Sequence, residues 1–294
     1  MEQHWIVYIL SDGCSVSVPN GENLFEVLRR QGLAPEAPCG GHGKCGKCTV
    51  CVDGAAVLAC QTAVCRDMTV TVPKQGGDTS ILTEGLECRR TGTPVRAGVL
   101  LAFDIGTTTI AGYLLDEQGT QLASASMLNP QKAFGADVVS RLQAAISGKL
   151  EALTASVRDG LEELTQELCR KSGRLPRDIG TVCVVGNPCM QQLFLGISPK
   201  NLAEIPFTPI LTRTQVQRAD AFLPLWGDAA LLTVPDISGY VGADTMACVI
   251  ATELDQAQAW TLLVDIGTNG EMVLGCRKRM VACSTAPDDF LELI

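Results

Sequence analysis

The 294-residue chain is short of aromatic side chains, of basic charge and of histidine, and each shortage removes a class of function. Aromatic residues make up 4% of it, too few for platforms on which nucleobases stack. Acidic residues outnumber basic ones by 32 to 23, and the resulting net charge of −9 disfavours a nucleic-acid partner. No apolar run approaches the ~18 residues that a membrane span needs. The opening MEQHWIVYIL has no basic region before its apolar residues and no small-residue cleavage site. No signal peptide is therefore expected, and a cytoplasmic location is. The length suits about two domains with proper cores.

Cysteine, by contrast, is plentiful. The chain has 14, and half of them fall between Cys14 and Cys65. A secreted disulfide framework would come with a signal peptide and a smaller domain, so a reducing compartment and metal chemistry fit better. The later thiols Cys169, Cys183, Cys189, Cys248, Cys276 and Cys283 stand mostly in apolar contexts and read as buried small hydrophobes.

The early cysteines concentrate in PCGGHGKCGKCTV, where Cys39, Cys45 and Cys48 have the spacing C-x5-C-x2-C. Short strands are expected at 5–10 and 14–18, and an amphipathic helix in NGENLFEVLRRQG. A second hairpin, CTVCVDG and AVLACQT, brings Cys60 back toward the loop, and DMTVTVP alternates like a final strand. A glycine-rich wrap of three thiols with a distant fourth suits a 2Fe–2S cluster, whose sulfurs also seek backbone N–H donors. Zinc is the competing reading, but zinc ribbons favour two C-x2-C knuckles, each on its own hairpin. Adventitious thiols are the plainest alternative. Cys51 and Cys65 are rivals for the fourth position. Cys51 lies only three residues past Cys48 in a strand, and Cys65 lies beyond the hairpin. A Rieske centre needs two histidines, and His42 has for company only His4, on the first strand. Lys44 and Lys47 leave the loop rim basic on an acidic protein; most such charges are only solvated, and the functional alternative is orientation of an acidic redox partner.

Residues 74–97 are rich in Gly, Thr, Pro and charge and read as a linker, with a short ordered piece expected at TSILTEGL. Beyond it GVLLAFDIGTTTIAGYLLDEQG is a strand, an acidic-glycine turn and a second strand. WTLLVDIGTNGEMVLGC repeats that pattern, with Asp265 standing 161 residues after Asp104. A single such hairpin is an ordinary turn. Two in order describe carboxylates delivered to the mouths of glycine turns that cradle phosphate oxygens, with Mg²⁺ held through water. That pattern points to a two-lobed nucleotide-binding fold of the actin, sugar-kinase and Hsp70 kind. Strands at 108–115 and 120–127, helices in FGADVVSRLQAAI and LTASVRDGLEELTQELCRKSG, a buried strand TVCVVGN, a short helix PCMQQLFLG, a strand ALLTVPD and a small-residue helix GYVGADTMACVIATEL complete the first lobe.

With these parts placed, the chain resembles the ATP-dependent reductive activators of corrinoid proteins. The resemblance rests on PCGGHGKCGKC, LACQT, DIGTTT, NPQKAFGADVVSRL, VGNPCMQQLFLGI, VGADTMA, DIGTNGEMVLG and ACSTA. It implies an α+β β-grasp ferredoxin domain at 1–73 followed by an α/β actin-like (RNase H-like, ASKHA) ATPase domain. That domain's first lobe would span 98–256 and its second begin at 257–294. The resemblance also implies that Cys39, Cys45, Cys48 and Cys60 ligate the cluster. Asp104, Gly106, Thr107 and Thr108 would form one phosphate loop, and Asp265, Gly267, Thr268, Asn269 and Glu271 the other. Asp104, Asp265 and Glu271 take the catalytic roles.

The implied activity is one-electron reduction of Co(II) to Co(I) in a corrinoid protein or corrinoid-dependent methyltransferase. The cofactors are a 2Fe–2S cluster and Mg-ATP, and a low-potential donor stands upstream. ATP matters because each 59 mV of shortfall costs about tenfold in a one-electron equilibrium. In the family the second lobe continues past ACSTA, whereas 29 residues follow Asp265 here, so that lobe is expected to be incomplete. Nucleotide binding is then expected to be weak. The alternative is a simple 2Fe–2S carrier with a non-functional ATPase domain.

Overall fold

The computed structural model describes residues 3–35, 37, 41, 43, 48–73, 95–267 and 269–285. Cys39, Cys45, Thr268, His42, Lys44, Lys47 and the segment TSILTEGL lie outside the described residues. The chain divides into two compact units, Met1–Ser80 and Ile81–Ile294.

In the first unit the expected hairpin forms from β1 (His4–Ile9) and β2 (Cys14–Pro19), paired antiparallel. A two-residue strand β3 (Glu22–Asn23) leads into α1 (Leu24–Arg30). Asn23 starts that helix by accepting the Phe25 N–H at 3.0 Å, one of the donors that a helix start leaves unpaired. Its apolar face, Leu24, Phe25, Val27 and Leu28, is buried. The chain then forms β4 (Thr49–Val52), β5 (Ala55–Leu58), the short β6 (Ala63–Val64) paired with β3, and β7 (Met68–Thr71). The five-stranded sheet runs β2-β1-β7-β4-β5, with β1 and β7 parallel. Val7, Ile9, Val50, Val52 and Val70 form its inner face, over which Leu24, Val27 and Leu28 pack. This is the mixed sheet with a crossing helix expected of a β-grasp ferredoxin domain.

The second unit is built on β8 (Val99–Ile105), β9 (Thr109–Leu115), β10 (Gln121–Leu128), β11 (Ile179–Gly186), β12 (Gln215–Arg218) and β13 (Ala230–Thr233). The order is β10-β9-β8-β11-β13-β12, with β8, β11 and β13 parallel. Helix α2 (Val138–Ala144) opens with a capping box at Asp137 and Ser140. Helix α3 (Leu150–Ser172) repeats apolar residues three and four apart, and Leu153, Val157, Leu161, Leu164 and Leu168 are all buried against the sheet. Helix α4 (Pro188–Leu195) joins this layer, and Trp226 fills its centre, its ring N–H donating to Thr165 Oγ1 at 3.1 Å. Alternation puts Val99, Leu101, Phe103 and Ile105 of β8 on the helix side, so Asp104 faces the other way. Helix α5 (Ala243–Ala251) follows β13.

The chain ends its described part in a meander of β14 (Thr261–Ile266), β15 (Gly270–Cys276) and β16 (Arg279–Thr285). One face of this sheet carries Asp265, Glu271 and Ser284 in a row. The other carries Leu262, Leu274 and Val281 in a row, all exposed. The expectation for the later thiols holds for Cys169, Cys189 and Cys276, which are buried. Cys183 and Cys248 are half-buried and Cys283 is exposed, because β16 is an edge strand.

Candidate functional site

Two sites of chemistry emerge, one in each unit. In the first, Cys48 stands just before β4 and is buried in the domain core, while Cys60 sits in the turn Ala59–Gln61 after β5. Their sulfurs are 3.1 Å apart. The hairpin makes this meeting: Thr49 pairs with Leu58, and the Ala59 N–H donates to the Cys48 carbonyl at 2.9 Å. A disulfide would require ~2.05 Å between sulfurs, so this is a pair of neighbouring thiols. Asn23 adds a brace by donating its amide to the Cys60 carbonyl at 2.8 Å. Gln61 ties the turn to the glycine loop, donating to the Gly43 carbonyl at 3.3 Å.

Cys51 shows why it is a poor rival. Val50 and Val52 point into the core, so strand alternation puts Cys51 on the opposite face, away from Cys48. Cys65 is exposed. The donor set of two converging thiols on a buried hairpin base, next to a loop holding two more cysteines in sequence, fits an iron–sulfur centre.

In the second unit both repeats form hairpins, each with its aspartate one residue before the last residue of the first strand, and they differ in one respect. Ile105 pairs with Ile110 and encloses four residues, whereas Ile266 pairs with Gly270 and encloses three. Asp104 faces Ala111 across its hairpin, and Asp265 faces Glu271, so the second turn carries a doubled charge. The first loop is tight: a Cβ at Gly106 would lie 2.7 Å from the Thr109 carbonyl.

Two Asn-Pro steps hold that loop. Asn129 caps the turn Pro130–Phe134 with its side-chain oxygen, and its amide nitrogen donates to the Gly106 carbonyl at 2.8 Å. Asn187 caps α4 with its oxygen, and its nitrogen donates to Thr107 Oγ1 at 3.1 Å. Sequence reading placed a short helix at PCMQQLFLG, directly after Asn187, and singled out neither asparagine.

Three carboxylates come together here from three elements, Asp104 from β8, Asp265 from β14 and Asp244 from the first turn of α5. Water reaches Asp104, yet protein crowds it on the remaining sides. That burial, then Asp244 and Asp265, push its pKa up to about 7. Burial raises Asp265 as well. Asp244 rises to about 6, through burial and the Asp265 charge, against the Thr245 N–H that donates to its Oδ1 at 2.8 Å. Glu271 rises to about 7 through burial, opposed by the Ser284 hydroxyl that donates to it at 3.1 Å and reinforced by Asp244 and Asp265.

Behind them lies Asp236, 6% exposed. Burial and the Asp244 charge raise it to about 7, against the Ala243 backbone N–H beside its carboxylate. One turn after Asp244, the Cys248 thiol is pushed up to about 11 by burial and by Asp265, Asp244 and Asp104.

Among the described residues no Lys, Arg or His forms an ion pair with any of these five carboxylates. Such an excess of negative charge calls for a cation. Among the described residues no three ligating side chains converge closely enough to cage a bare ion. Mg²⁺ is a cation that keeps several waters and takes one or two carboxylates plus phosphate oxygens. Asp244 and Asp236 were not among the residues singled out by sequence, because neither belongs to the repeat.

Comparison with known proteins supplies the relatives. A family model described as the RACo middle region matches residues 99–257. One described as the C-terminal domain of RACo, the ASKHA domain, matches 259–288, and a 2Fe-2S iron-sulfur cluster binding domain matches 7–65. The corrinoid activation enzyme RamQ of Eubacterium limosum is 38% identical over 197 residues, covering 65% of this chain and 33% of RamQ. Among solved structures, a reductive activator for corrinoid, iron-sulfur protein superposes with a TM-score of 0.61 at 25% identity, covering 95% of this chain and 63% of that one. The chain thus spans a third of the length of RamQ and less than two thirds of that activator.

Proposed function

This chain belongs to the RACo family, and from that premise we propose that it passes one electron to a corrinoid protein, reducing Co(II) to Co(I), with Mg-ATP as the driver. The observation that carries the reading is the pairing, in one chain, of the Cys48–Cys60 thiol site with the carboxylate cleft of Asp104 and Asp265. No helix among the described residues is long and apolar enough to cross a membrane, and none is required.

Cys39, Cys45, Cys48 and Cys60 would hold the 2Fe–2S cluster. When bound, that centre supplies a one-electron redox couple. The protein's part is to keep Cys48 dry inside the core and to hold Cys60 beside it through the Thr49–Leu58 pairing and the Asn23 brace. In the second unit Gly106, Thr107 and Thr108 would lie along the phosphates from one side, and Gly267, Thr268 and Asn269 from the other. Asp104 and Asp265 would hold the hydrated Mg²⁺. Glu271, opposite Asp265 and anchored by Ser284, adds charge on the same wall. ATP can drive the reduction only if its binding differs in strength between two arrangements of the protein and its partner. The upstream donor is a low-potential reductant of the same one-electron class.

The nucleotide part is tested by calorimetric titration of the chain with Mg-ATP. Weak but saturable binding is expected, reduced about tenfold or more, ~1.4 kcal/mol, by Asp104→Ala. Absence of saturable binding, or binding that ignores Asp104→Ala, would contradict it.

A further inference from the structure

One fully buried cation in the second unit has no counter-ion. Arg141 of α2 is 0% exposed, and among the described residues no Asp or Glu forms an ion pair with it. Arginine is seldom buried to this degree unless paired, because the desolvated charge is costly. Burial brings its pKa down to about 10, opposed by the nearby Cys189 and Asp137. Its nitrogens show what holds it there. Nε donates to the Gly135 carbonyl at 2.9 Å and Nη1 donates to the Met190 sulfur at 3.2 Å, while Nη2 has no partner among the described residues.

A thioether is a weak acceptor, and leucine would fill the same volume in a helix layer. Met190 is set apart by what else it touches. Its sulfur also receives Asn129 Nδ2 at 3.8 Å, and its backbone N–H donates to Asn187 Oδ1 at 3.1 Å. These are the two asparagines that hold the first phosphate loop, Asn129 at the Gly106 carbonyl and Asn187 at Thr107 Oγ1. Asn129 grips the loop a second time, its backbone N–H donating to the Thr108 carbonyl at 2.8 Å. Asn129 is 1% exposed and Met190 0%, so no solvent stands in for either contact. Arg141, Met190 and the asparagines therefore form one buried chain of contacts from α2 to Gly106, Thr107 and Thr108.

We propose that Arg141 is a positioning residue for the nucleotide phosphates: through the Met190 sulfur it fixes the two asparagines, and so holds the first phosphate loop in its binding shape before nucleotide arrives. The proposal rests on the nucleotide reading above. Being fully buried, Arg141 touches no phosphate itself. A loop already held loses less freedom on binding, and the saving shows as affinity.

Variants of the full chain separate this role from plain packing. Met190→Leu keeps the volume and removes the acceptor, and Arg141→Met keeps a long side chain and removes the donors. Each should weaken calorimetric Mg-ATP binding about tenfold, the worth of one hydrogen bond from a charged donor. The double variant should lose no more than the worse single one, because both act through one contact. Arg141→Lys keeps the charge without the fork that reaches Gly135 and Met190 together, and should bind as weakly as Arg141→Met. By NMR, exchange of the Asn129 amide hydrogen should quicken about tenfold in both single variants, while the amides in the middle of α3 keep their rates.

Unchanged Asn129 exchange would overturn the relay, and so would losses that add in the double variant, equal quickening throughout α3, or full affinity in Arg141→Lys. Quickened Asn129 exchange with unchanged Mg-ATP affinity would overturn the positioning role. If the unsubstituted chain binds no Mg-ATP, the nucleotide reading fails with it, and quickened Asn129 exchange in the variants would uphold the hold on the loop alone.

Discussion

Replacing either Cys48 or Cys60 by serine is expected to abolish the visible absorption of the iron–sulfur centre in anaerobically purified protein. The two sulfurs lie 3.1 Å apart at the base of one hairpin, so each replacement would remove a proposed ligand from the same place. Hydroxyl is a poor replacement for thiolate toward iron, and Cys51, the other thiol of the hairpin, stands on the opposite face of β4. Cys51→Ser is expected to leave two irons and two labile sulfides in place, because that side chain stands on the face of β4 opposite the core. Iron and sulfide analysis with the absorption spectrum checks all three. Stoichiometric zinc without iron, or loss of the centre in Cys51→Ser, would overturn the ligand set.

The second large effect concerns Asp236 and has a definite sign. Its carboxylate is pushed up to about 7 in the folded protein by burial and by Asp244, far above its ordinary 3.8. Between those values the folded state keeps a proton that the unfolded chain has released. Stability therefore declines as pH rises through that window and levels off above about 7. Asp236→Asn keeps the shape and removes the ionisation. It is expected to stabilise the protein by roughly 2–4 kcal/mol at pH 8, in the absence of divalent cation, and hardly at all at pH 4. Urea denaturation at the two pH values measures this. Equal effects at both, or destabilisation at pH 8, would show that the carboxylate is satisfied in a way the geometry does not reveal. A buried charge kept at such a cost is what a functional cleft tolerates.

Much of this was legible in the sequence, for identifiable reasons. Glycine turns, hairpin dipeptides such as Asp53-Gly54 and the leucine spacing of α3 are local signals, and they placed the elements to within a few residues. The repeat carried Asp104 and Asp265 because both arrive by the same strand-and-turn device. What escaped depends on the order of strands. Asp244 reaches Asp104 because β8 and β11 run parallel and α5 packs on the end of β11, a non-local arrangement that leaves no mark in the run VGADTMA. Asn129 and Asn187 escaped because their hydrogen bonds to Gly106 and Thr107 exist only once the sheet has formed. The edge strand β12 escaped because Gln215–Arg218 is exposed throughout and so shows no apolar alternation. Asp236 escaped because it was read as the last residue of the strand ALLTVPD, whereas β13 ends at Thr233, and a lone carboxylate at a strand end looks like an ordinary turn residue.

Electron delivery to cobalt, as proposed, is tested by mixing protein loaded with its cluster, reduced anaerobically, with a Co(II) corrinoid protein and following the absorbance of Co(I). One Co(I) is expected for each cluster oxidised, in the presence of Mg-ATP, and none with Cys60→Ser protein. Cobalt that stays Co(II) beside a cluster that stays reduced would contradict it, as would Co(I) formed equally well by the Cys60→Ser protein.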